Sequence, residues 1–458
     1  MCNRKSLYPK PALFALLLAL SLACGRAPEL PNLVLITLDT VRADHLGCYG
    51  YFRDTSPSID SYARQSIFFE RCYSPVAGTL PSHVSILSGT YPLEHGISSM
   101  RGTHIATWPP GLVSYTSVLE DAGYATAAFI SGVPLRRETG INRGFDFYDD
   151  PLAKKRWAAD TNESAFAWLD TMATAPYFLW VHYFDPHGPH IAPVEYTSLF
   201  EGDDRIDSVI ADANYLDRIP NGTRPISEVI ANYDGQVRYM DEHFGDLLDR
   251  LRGREDWSKT IVVVVGDHGQ GLGQHATLGH GSAWNEQLHV PLFIVAPGEA
   301  PRRVSRLMST VDILPTLLGL CSDLPPMGSD VQWAGADVLA ENGLPPEEVF
   351  GQGAGGQVQM DLNPEKERAY TLITPRWKYF YIPGTDRDLL YDLSVDPHEL
   401  RDVSEEHGDL VEDLRSRLLD RMRTMEGRSS LFRPDAEPGT AEVSEEHLDA
   451  LRALGYVE

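Results

Sequence analysis

The chain has 458 residues, of which 43% are hydrophobic and 23% are charged, so it is long enough for one large globular domain or two unequal ones. Its 65 acidic residues outnumber 39 basic residues, which gives a net charge of −26. Such a surface repels nucleic acid and argues against it as a partner, and any anionic substrate has to be held by a local cation or a helix terminus.

Residues 1–24 are interpreted as an export leader. Three basic residues precede an apolar run, Ala12 to Ala23, that is too short to cross a bilayer as a resident helix. The run ends at Cys24, and this arrangement resembles a bacterial lipoprotein signal, in which the cysteine is lipidated and becomes the mature N-terminus. We therefore predict an exported protein, periplasmic or at the cell surface, with a lipid anchor at Cys24. Cleavage of an ordinary signal peptide is the alternative.

Apolar runs follow the leader, most of them bounded by a polar or charged residue, and such runs are typical of strands buried on both faces of a parallel sheet. They are Asn32–Asp39, Ala125–Ile130, Tyr177–Phe184, Ile261–His268 and Leu292–Val295. Helical stretches lie between them at Ser56–Gln65, Ser114–Ala122, Asn162–Met172 and Ala231–Arg252. The alternation predicts an α/β fold, a doubly wound and mainly parallel sheet that binds ligands at the carboxyl ends of its strands.

Several side chains suited to metal binding or acid–base chemistry fall at these strand ends. Asp39 ends the first run, Asp185 follows the run at Tyr177–Phe184, and Asp267 and His268 end a later run. Because the carboxyl ends of parallel strands meet at one edge of a sheet, we expect these side chains to converge.

A short helix is predicted to begin near Thr79, with Thr79 as its N-cap. Pro81 lies in the first turn, where a missing N–H costs nothing, and Gly89 ends the helix. An N-cap threonine directs its hydroxyl toward free backbone N–H groups and the positive end of the helix dipole. Because the same position suits an anion, Thr79 is either a cap alone or a nucleophile that a metal activates.

The character of the sequence changes near Leu320. Residues 321–356 are rich in Pro and Gly and are predicted to be connecting loops. Short strands at 368–373, 378–381 and 389–392 then precede an amphipathic helix at 405–425. We therefore predict a catalytic domain at 30–320, a smaller C-terminal α+β subdomain at 321–426, and a linker with a terminal helix at 427–458.

The side chains at the predicted sheet edge match what cleavage of a phosphate or sulfate ester through a covalent intermediate requires. The reaction needs a nucleophilic oxygen, a cation that holds it deprotonated, donors for the non-bridging oxygens and an acid for the leaving group. Asp39, Asp267 and His268 are the natural ligands of a divalent metal ion, with Thr79 as fourth ligand and nucleophile. This donor set suits Zn²⁺, Mn²⁺ or Mg²⁺, whereas an all-oxygen set would favour Ca²⁺ or Mg²⁺.

Over most of the mature chain, the sequence resembles the sulfatase family of the alkaline phosphatase superfamily. Each matching segment is weakly specific alone, and the resemblance rests on their order and spacing. The segments are Asp39–Gly50, Thr79–His83, Leu87–Gly89, His182–His187, Asp267–Gly269, Val311–Thr316, Leu390–Leu393 and Asp396–Pro397. The resemblance implies an alkaline phosphatase-like fold and a metal-dependent ester hydrolase.

The chain departs from the sulfatase pattern around the nucleophile. In true sulfatases the position of Thr79 is a Cys or Ser that is oxidised to formylglycine, and Thr cannot be converted to the same aldehyde. His83 stands where the family has Arg, Thr40 replaces the second acid of the usual Asp-Asp pair, and His280 stands where Lys is expected. Superfamily relatives that use Thr are phosphatases, phosphodiesterases and phosphoglycerol transferases.

Roles for the histidines follow from the resemblance and from the pKa of imidazole. His83 is predicted to contact a non-bridging oxygen of the substrate. His182, His187 and His280 are candidates for the leaving-group acid or for an oxyanion contact, and His187 is the best of the three. A structural role is the alternative for each of them, and Asp185, His187 and His190 are alternatively a second metal site.

We predict an exported, metal-dependent hydrolase that cleaves a small or polymeric ester of sulfate or phosphate type. The few cations visible at the site suit a monoanion better than a phosphate monoester dianion, which favours phosphodiesters, phosphonate esters and sulfate monoesters. Two alternatives stay open: a catalytically silent, surface-anchored binder of sulfated or phosphorylated polymers, and a phosphoglycerol-type transferase. The sequence does not distinguish between oligomeric states.

Overall fold

The computed structural model describes residues 30–97, 104–150, 155–171, 176–213, 215, 224–328, 333–340, 347–354, 369–385, 387–433, 440–442 and 445–453. The leader assigned to residues 1–24, with Cys24, lies outside the described residues. Among the helices that are described, none combines the length and apolar character needed to cross a membrane.

The strands of the described chain form one large sheet and several small ones. In chain order they are β1 (Asn32–Leu38), β2 (Ile67–Tyr73), β3 (His104–Ala106), β4 (Ala125–Ile130), β5 (Phe147–Asp149), β6 (Tyr177–Tyr183), β7 (Thr260–Gly266), β8 (Gly271–Leu272), β9 (Leu278–Gly279), β10 (His289–Val295), β11 (Arg302–Ser309), β12 (Val349–Gln352), β13 (Tyr370–Ile373), β14 (Trp377–Tyr381), β15 (Asp388–Asp392) and β16 (Thr440–Glu442). The large sheet has eight strands in the order β11-β2-β10-β7-β1-β6-β4-β5.

The α-helices of the described chain pack mainly around this sheet. They are α1 (Pro57–Ala63), α2 (Thr79–Ser88), α3 (Pro92–His95), α4 (Tyr115–Asp121), α5 (Ala158–Thr171), α6 (Val194–Thr197), α7 (Arg205–Asp212), α8 (Ile226–Arg252), α9 (Asn285–Leu288), α10 (Ile313–Leu320), α11 (Gly408–Phe432) and α12 (Glu445–Ala453). Helices cover both faces of the large sheet, so the predicted doubly wound α/β fold is confirmed.

Strand β1 lies in the middle of the large sheet, and all of its side chains are buried. Leu35 belongs to one core cluster and Ile36 to the other, because successive side chains of a strand point to opposite faces. Burial on both faces explains the unbroken apolar run in the sequence. Parallel pairing with β6 and β7 sets Leu38 opposite Tyr183 and Gly266, so the residues that follow these strands meet at one edge.

Strand β10 is the reversed strand of the large sheet. It runs antiparallel to its neighbours β7 and β2, whereas the other pairings of this sheet are parallel. The segment between β7 and β10 holds only a short ribbon, β8 and β9, and the one-turn helix α9. Without a long crossover helix, the chain returns beside β7 in the opposite direction, which an apolar pattern alone does not reveal.

A second, antiparallel sheet, β12-β13-β14-β15, packs with helix α11 at the C-terminal end of the described chain. Strand β12 falls inside residues 321–356, so the prediction that this stretch contains only connecting loops is wrong. The predicted helix at 405–425 is longer than expected and reaches Phe432, because Met425 and Phe432 are both buried on its apolar side. Further along, β16 pairs with β3 of the N-terminal half.

Candidate active site

The metal-binding group predicted from the sequence comes together at the carboxyl edge of the large sheet. Asp39 follows β1, and Asp267 and His268 follow the neighbouring strand β7. One ligand atom from each residue lies within 4.8 Å of the ligand atoms of the other two, and all three side chains are fully buried. The matched ends of the two parallel strands produce this convergence.

The donor set of this group fits a divalent cation. Among the described residues, Oδ1 of Asp39 and Oδ2 of Asp267 are buried without a hydrogen-bond partner. Burial raises the pKa of Asp39 to about 8, and burial together with the charge of Asp39 raises the pKa of Asp267 well above its usual value. Two carboxylates this close in a protein interior stay ionised only if a positive charge lies beside them.

Thr79 lies next to the metal-binding group, but it is not the N-cap of its helix. Helix α2 begins at Thr79 itself, and the N-cap is Gly78, whose backbone is extended with φ −163° and ψ 136°. The N-cap prediction is therefore wrong by one residue. The Thr79 hydroxyl does not cap the helix. It lies 3.3 Å from Nε2 of His268 and forms a hydrogen bond with Asp39.

His83 follows Thr79 by one helical turn and reaches the same carboxylates. Its Nδ1 donates to the carbonyl oxygen of Thr79 at 2.7 Å and lies 3.6 Å from Oδ2 of Asp267. Burial lowers the pKa of His83 well below its usual value, so the ring is neutral. His83 therefore does not supply the fixed positive charge of the arginine that the family resemblance leads one to expect, and its contact with substrate stays a prediction.

His182 is part of β6 and contacts Asp39 on the neighbouring strand. Nε2 of His182 lies 3.4 Å from Oδ2 of Asp39, while the backbone N–H of Ser131 donates to Nδ1. Since Nδ1 accepts a hydrogen bond, Nε2 carries the ring proton and donates it to Asp39. Burial lowers the pKa of His182 to about 3. This arrangement favours a role in orienting Asp39 over the predicted alternative of protonating a leaving group.

His187 and His280 form a histidine pair beside the metal-binding group. Their Nε2 atoms are 3.2 Å apart, and the ring of His280 lies 4.4 Å from that of His268. Nδ1 of His187 bonds the carbonyl of Gly188 at 2.7 Å, and Nδ1 of His280 bonds the carbonyl of Ala77 at 3.3 Å. Carbonyl oxygens only accept, so both Nδ1 atoms carry protons, and the two Nε2 atoms form a hydrogen bond with each other only when the pair takes up a third proton.

A third proton on this pair would be an acidic one. Burial lowers the pKa of His187 well below its usual value and lowers that of His280 to about 4. A proton shared between the two rings is therefore held weakly and is given up readily to a developing anion.

Asp185 lies at the same sheet edge, but it does not join a second metal site. One carboxylate oxygen of Asp185 accepts a hydrogen bond from the backbone N–H of Ala158 at 3.0 Å. Within the described part of the chain, the group of Asp39, Asp267 and His268 is the only set of three side chains placed to share a metal ion. The alternative of a second metal site at Asp185, His187 and His190 is therefore not supported.

Lys155 is a cation at this site that sequence analysis did not identify. Its ammonium group donates to the carbonyl oxygen of Asp185 at 2.5 Å and lies 4.5 Å from the ring centre of Trp157. Burial lowers the pKa of Lys155 to about 8, and the charges of Asp185 and Asp39 oppose that shift. The sequence shows only a short basic run, Lys154 to Arg156, and nothing in that run indicates a site.

Thr40 adopts a backbone conformation that threonine rarely takes. Its φ is 56°, in the left-handed region, where a β-branched side chain is strained. Its N–H donates to Oδ1 of Asp267 at 3.1 Å, and its buried hydroxyl has no partner among the described residues. Strain beside the metal-binding group marks this turn as part of the site rather than of the scaffold.

Comparisons with known proteins identify the family that this site resembles. A family model described as Sulfatase matches residues 31–323, which is more than half of the chain. An arylsulfatase of Clostridium perfringens is 23% identical over 87% of this chain and 95% of its own length.

Two solved structures are similar in fold. One, from work on glycosaminoglycan metabolism by Bacteroides thetaiotaomicron, has a TM-score of 0.73 and 21% identity, covering 88% of this chain and 98% of its own. The other, a phosphonate monoester hydrolase of Agrobacterium radiobacter, has a TM-score of 0.68 and 20% identity, covering 86% of this chain and 96% of its own. At these identities the likeness concerns the fold alone.

Proposed function

We propose that this chain, which belongs to the sulfatase family of the alkaline phosphatase superfamily, is a metal-dependent ester hydrolase whose nucleophile is Thr79. Family membership makes it a sulfatase-like hydrolase; the metal, the nucleophile and the kind of ester are the substance of the proposal. One observation carries it: the buried Thr79 hydroxyl lies 3.3 Å from His268 and bonds Asp39, inside the group that fits a cation.

Asp39, Asp267 and His268 would hold a divalent metal ion, with Thr79 as the fourth ligand. When bound, the ion acts as a Lewis acid, which lowers the pKa of an adjacent hydroxyl and balances the negative charge of the two carboxylates. His182 keeps the Asp39 carboxylate oriented through its Nε2–H. Mn²⁺, Zn²⁺, Mg²⁺ and Ca²⁺ are the candidates, and the mixed oxygen and nitrogen donors favour the first three.

In the proposed first step, Oγ of Thr79 attacks the sulfur or phosphorus atom, and its proton passes to Asp39, which accepts the hydroxyl's hydrogen bond. Thr79 is the first residue of α2, so the N–H groups of the first turn stabilise negative charge on the attacking and non-bridging oxygens. The bond from Oγ to sulfur or phosphorus forms as the bond to the leaving oxygen breaks.

The His187 and His280 pair protonates the departing oxygen in this scheme. The third proton of the pair moves to the leaving alkoxide, and the two rings are then left with one proton each on Nδ1. In the second step the pair takes a proton from the water that attacks the Thr79 ester, and Asp39 returns its proton to Oγ of Thr79 as the ester bond breaks, which restores the Thr79 hydroxyl.

Charge at the site favours a monoanionic ester. Lys155 adds one positive charge near Asp39 and Asp185, but His83 is a neutral donor where the family resemblance implies a cation, and His280 shares a positive charge only while the pair holds its third proton. A phosphate monoester dianion would need more positive charge than these side chains supply. Sulfate monoesters, phosphodiesters and phosphonate monoesters each carry one negative charge and fit better.

An ordinary threonine favours phosphorus over sulfur among these monoanions. An ester on Thr79 has to be cleaved by attack on its central atom, because the elimination open to a hydrated aldehyde needs formylglycine. The arylsulfatase named among the relatives keeps sulfate esters as the second candidate class.

A catalytically silent binder and a phosphoglycerol-type transferase are the competing functions. The silent binder is disfavoured because a binding protein has no need for a buried, unpaired carboxylate pair beside a threonine hydroxyl. The transferase differs from the hydrolase only in the acceptor of the second step. Product analysis with glycerol in the buffer separates the two enzymes.

A substrate and metal screen tests the proposal. Aryl sulfate, aryl phosphate, bis-aryl phosphate and aryl phosphonate esters are assayed with Mn²⁺, Zn²⁺, Mg²⁺ or Ca²⁺ added to metal-free protein. We expect turnover of at least one monoanionic ester, and a loss of at least about 10³-fold in Thr79→Ala. Normal turnover by Thr79→Ala would remove Thr79 from the mechanism.

Thr116→Ala is the matched control for this experiment. Thr116 is also a buried threonine in the first turn of a helix, α4, it is not part of the metal-binding group, and its hydroxyl has no partner among the described residues. Both variants lose about 1 kcal/mol of stability from burial, so only a direct role in catalysis makes their activities differ.

We also propose that the protein is exported and anchored through Cys24. The proposal rests on the sequence of residues 1–24 alone. Membrane fractionation of wild type and Cys24→Ala in a bacterial host tests it, because loss of the lipid moves the variant to the soluble fraction. Equal fractionation of the two would contradict the anchor.

A further inference from the structure

A second polar cluster lies beside the catalytic group and plays no part in the mechanism above. It consists of His190 in the loop after β6, Gln236 in helix α8, and Gln270 in the segment after β7. Nδ1 of His190 lies 3.2 Å from Oε1 of Gln236, and Nε2 of His190 lies 3.2 Å from Nε2 of Gln270. Gln236 is fully buried and Gln270 is 3% exposed.

The chain is built to hold His190 against helix α8. Gly235 allows this approach, because a Cβ atom there would come within 3.0 Å of both Ala192 and the backbone of Thr197. The Asn232 side chain bonds the same segment at both of those residues. Arg224 adds a hydrogen bond to the carbonyl oxygen of His190 at 3.3 Å. The cluster is therefore a fixed structure and not a chance contact of surface side chains.

The hydrogen bonds of His190 determine what the cluster offers to a ligand. Burial lowers the pKa of His190 to about 4, so one ring nitrogen donates and the other accepts. Nδ1–H donates to the carbonyl end of Gln236, and Nε2 accepts from the amide end of Gln270. The amide ends that remain are Nε2 of Gln236, a donor, and Oε1 of Gln270, an acceptor, and neither has a partner among the described residues.

The opposite tautomer of His190 leads to the same conclusion. If both amides were turned over, the ring would donate from Nε2 and accept at Nδ1, leaving an acceptor on Gln236 and a donor on Gln270. In either state the cluster presents one donor and one acceptor, both uncharged and both buried. A hydroxyl group is the chemical group that satisfies both, since it donates and accepts at once.

The cluster is close to the reaction centre. Gln270 follows His268 by two residues, so their Cα atoms are at most about 7 Å apart, and His190 follows His187 by three residues, at most about 11 Å. His190 is near enough to His187 to contribute to lowering the pKa of His187, because positive charge on both rings at once would be repulsive. The leaving group of an ester held at Thr79 and protonated by His187 is therefore within reach of the cluster.

We propose that His190, Gln236 and Gln270 form a subsite for a hydroxyl group on the leaving alcohol of the ester. The substrate class is then a monoester or diester of a polyhydroxylated alcohol, such as a sugar or a polyol, and not of a simple alkyl or aryl alcohol. This inference rests on the proposed function for the position of the ester. A water molecule fixed between the two glutamines is the competing occupant.

Matched pairs of esters test the subsite. Monoesters of cyclohexane-1,2-, 1,3- and 1,4-diol are compared with the cyclohexyl monoester, using the acid, sulfuric or methylphosphonic, that the aryl screen identifies. We expect at least one diol ester to exceed the cyclohexyl ester in kcat/KM by about 10- to 100-fold, because the cyclohexyl ester leaves the buried amides unpaired. Equal kcat/KM values for all four esters would overturn the subsite.

Gln236→Met and Gln270→Met are the informative variants, since methionine keeps the volume of glutamine and removes its hydrogen bonds. Each should reduce the diol preference to less than about threefold. Gln352→Met is the control, because Gln352 is also buried with an unpaired Oε1 but lies in the small antiparallel sheet. The same preference in wild type and in both subsite variants would contradict the assignment.

A binding measurement separates failure of the subsite from failure of the proposed function. Saturation-transfer NMR with the free diols should show binding to wild type and weaker binding to Gln236→Met. Turnover of aryl esters without diol preference or diol binding would overturn the subsite and leave the proposed function standing. Diol binding that Gln236→Met weakens, without turnover of any ester, would support the subsite and count against the proposed function.

Discussion

The clearest quantitative prediction concerns a buried ion pair that joins the small sheet to the catalytic segment. Nζ of Lys378, in β14, lies 2.6 Å from Oε1 of Glu399, and neither side chain is exposed. Lys378 also donates to the side chain of Asn285, whose backbone N–H donates to Glu399 at 2.7 Å. Asn285 begins the short helix that follows His280, so this clamp holds the end of the chain segment that carries the site.

Lys378→Met should destabilise the protein strongly. At an effective dielectric constant of about 20, two charges 2.6 Å apart attract by about 6 kcal/mol. Burial already raises the pKa of Glu399, so in the variant Glu399 takes up a proton and limits the loss. We therefore expect the free energy of unfolding to fall by about 3–5 kcal/mol near neutral pH.

The loss should grow with pH, and this is the sharper part of the test. In the variant, the pKa of Glu399 is raised further above its value in the unfolded chain, because Lys378 no longer opposes burial. A carboxyl group of this kind keeps its stability below the unfolded pKa and loses it as pH rises through the folded pKa. Denaturation of wild type and Lys378→Met between pH 5 and 8 should therefore show a widening gap.

Two further variants complete the experiment. Lys378→Met with Glu399→Met removes both charges and should regain much of the lost stability, since no unpaired charge stays buried. Arg401→Met breaks an ion pair of the same 2.6 Å length between Arg401 and Glu406, whose side chains are 72% and 55% exposed, respectively. Because this pair is exposed to solvent, its loss should lower the free energy of unfolding much less. A small, pH-independent loss in Lys378→Met, or a double variant weaker than the single, would refute the reasoning.

Three other predictions address the site. Asp267→Asn should bind clearly less divalent metal by elemental analysis than wild type, whereas Asp241→Asn, which alters a buried carboxylate bonded to the N-terminus of α1, should retain it. In the presence of a chelator, the free energy of unfolding of wild type should fall as pH rises from 5 to 8, because burial raises the pKa of Asp39 to about 8 and ionisation of such a carboxyl group destabilises the folded state through that range. A melting temperature that does not change with pH would contradict this. Lys155→Met should weaken inhibition by inorganic sulfate or phosphate by about tenfold or more, since a hydrogen bond to a charged group contributes about 1.5–3 kcal/mol. Unchanged inhibition constants would exclude Lys155 from anion binding.

The sequence predicts those site residues that come directly after a strand of the large sheet. Unbroken apolar runs show where β1, β6 and β7 end, and parallel pairing brings the residues after them to one edge. Asp39, Asp267 and His268 therefore come together as the pattern indicates. The order of the motifs also indicates the sulfatase family, which the family model matches over residues 31–323.

Three features of the fold and the site are not predicted correctly from the sequence. Thr79 is the first helical residue and not the cap, because the extended backbone of Gly78 precedes it. Lys155 enters from a loop after β5 whose basic run looks like any solvent-exposed one. The direction of β10 is likewise hidden, since burial on both faces produces the same apolar run in either direction.

Local patterns in the sequence are enough to indicate which residues lie along most of the strands and helices, because periodicity, turn residues and motif spacing are properties of neighbouring positions. The protonation and pairing of each side chain, in contrast, follow from tertiary packing. The neutral rings of His83 and His190, the contact between His187 and His280, and the amide atoms of Gln236 and Gln270 that lack a partner among the described residues all depend on burial and on which partner each atom finds. Burial and partnership are set by chain segments far apart in sequence, so no local pattern encodes them.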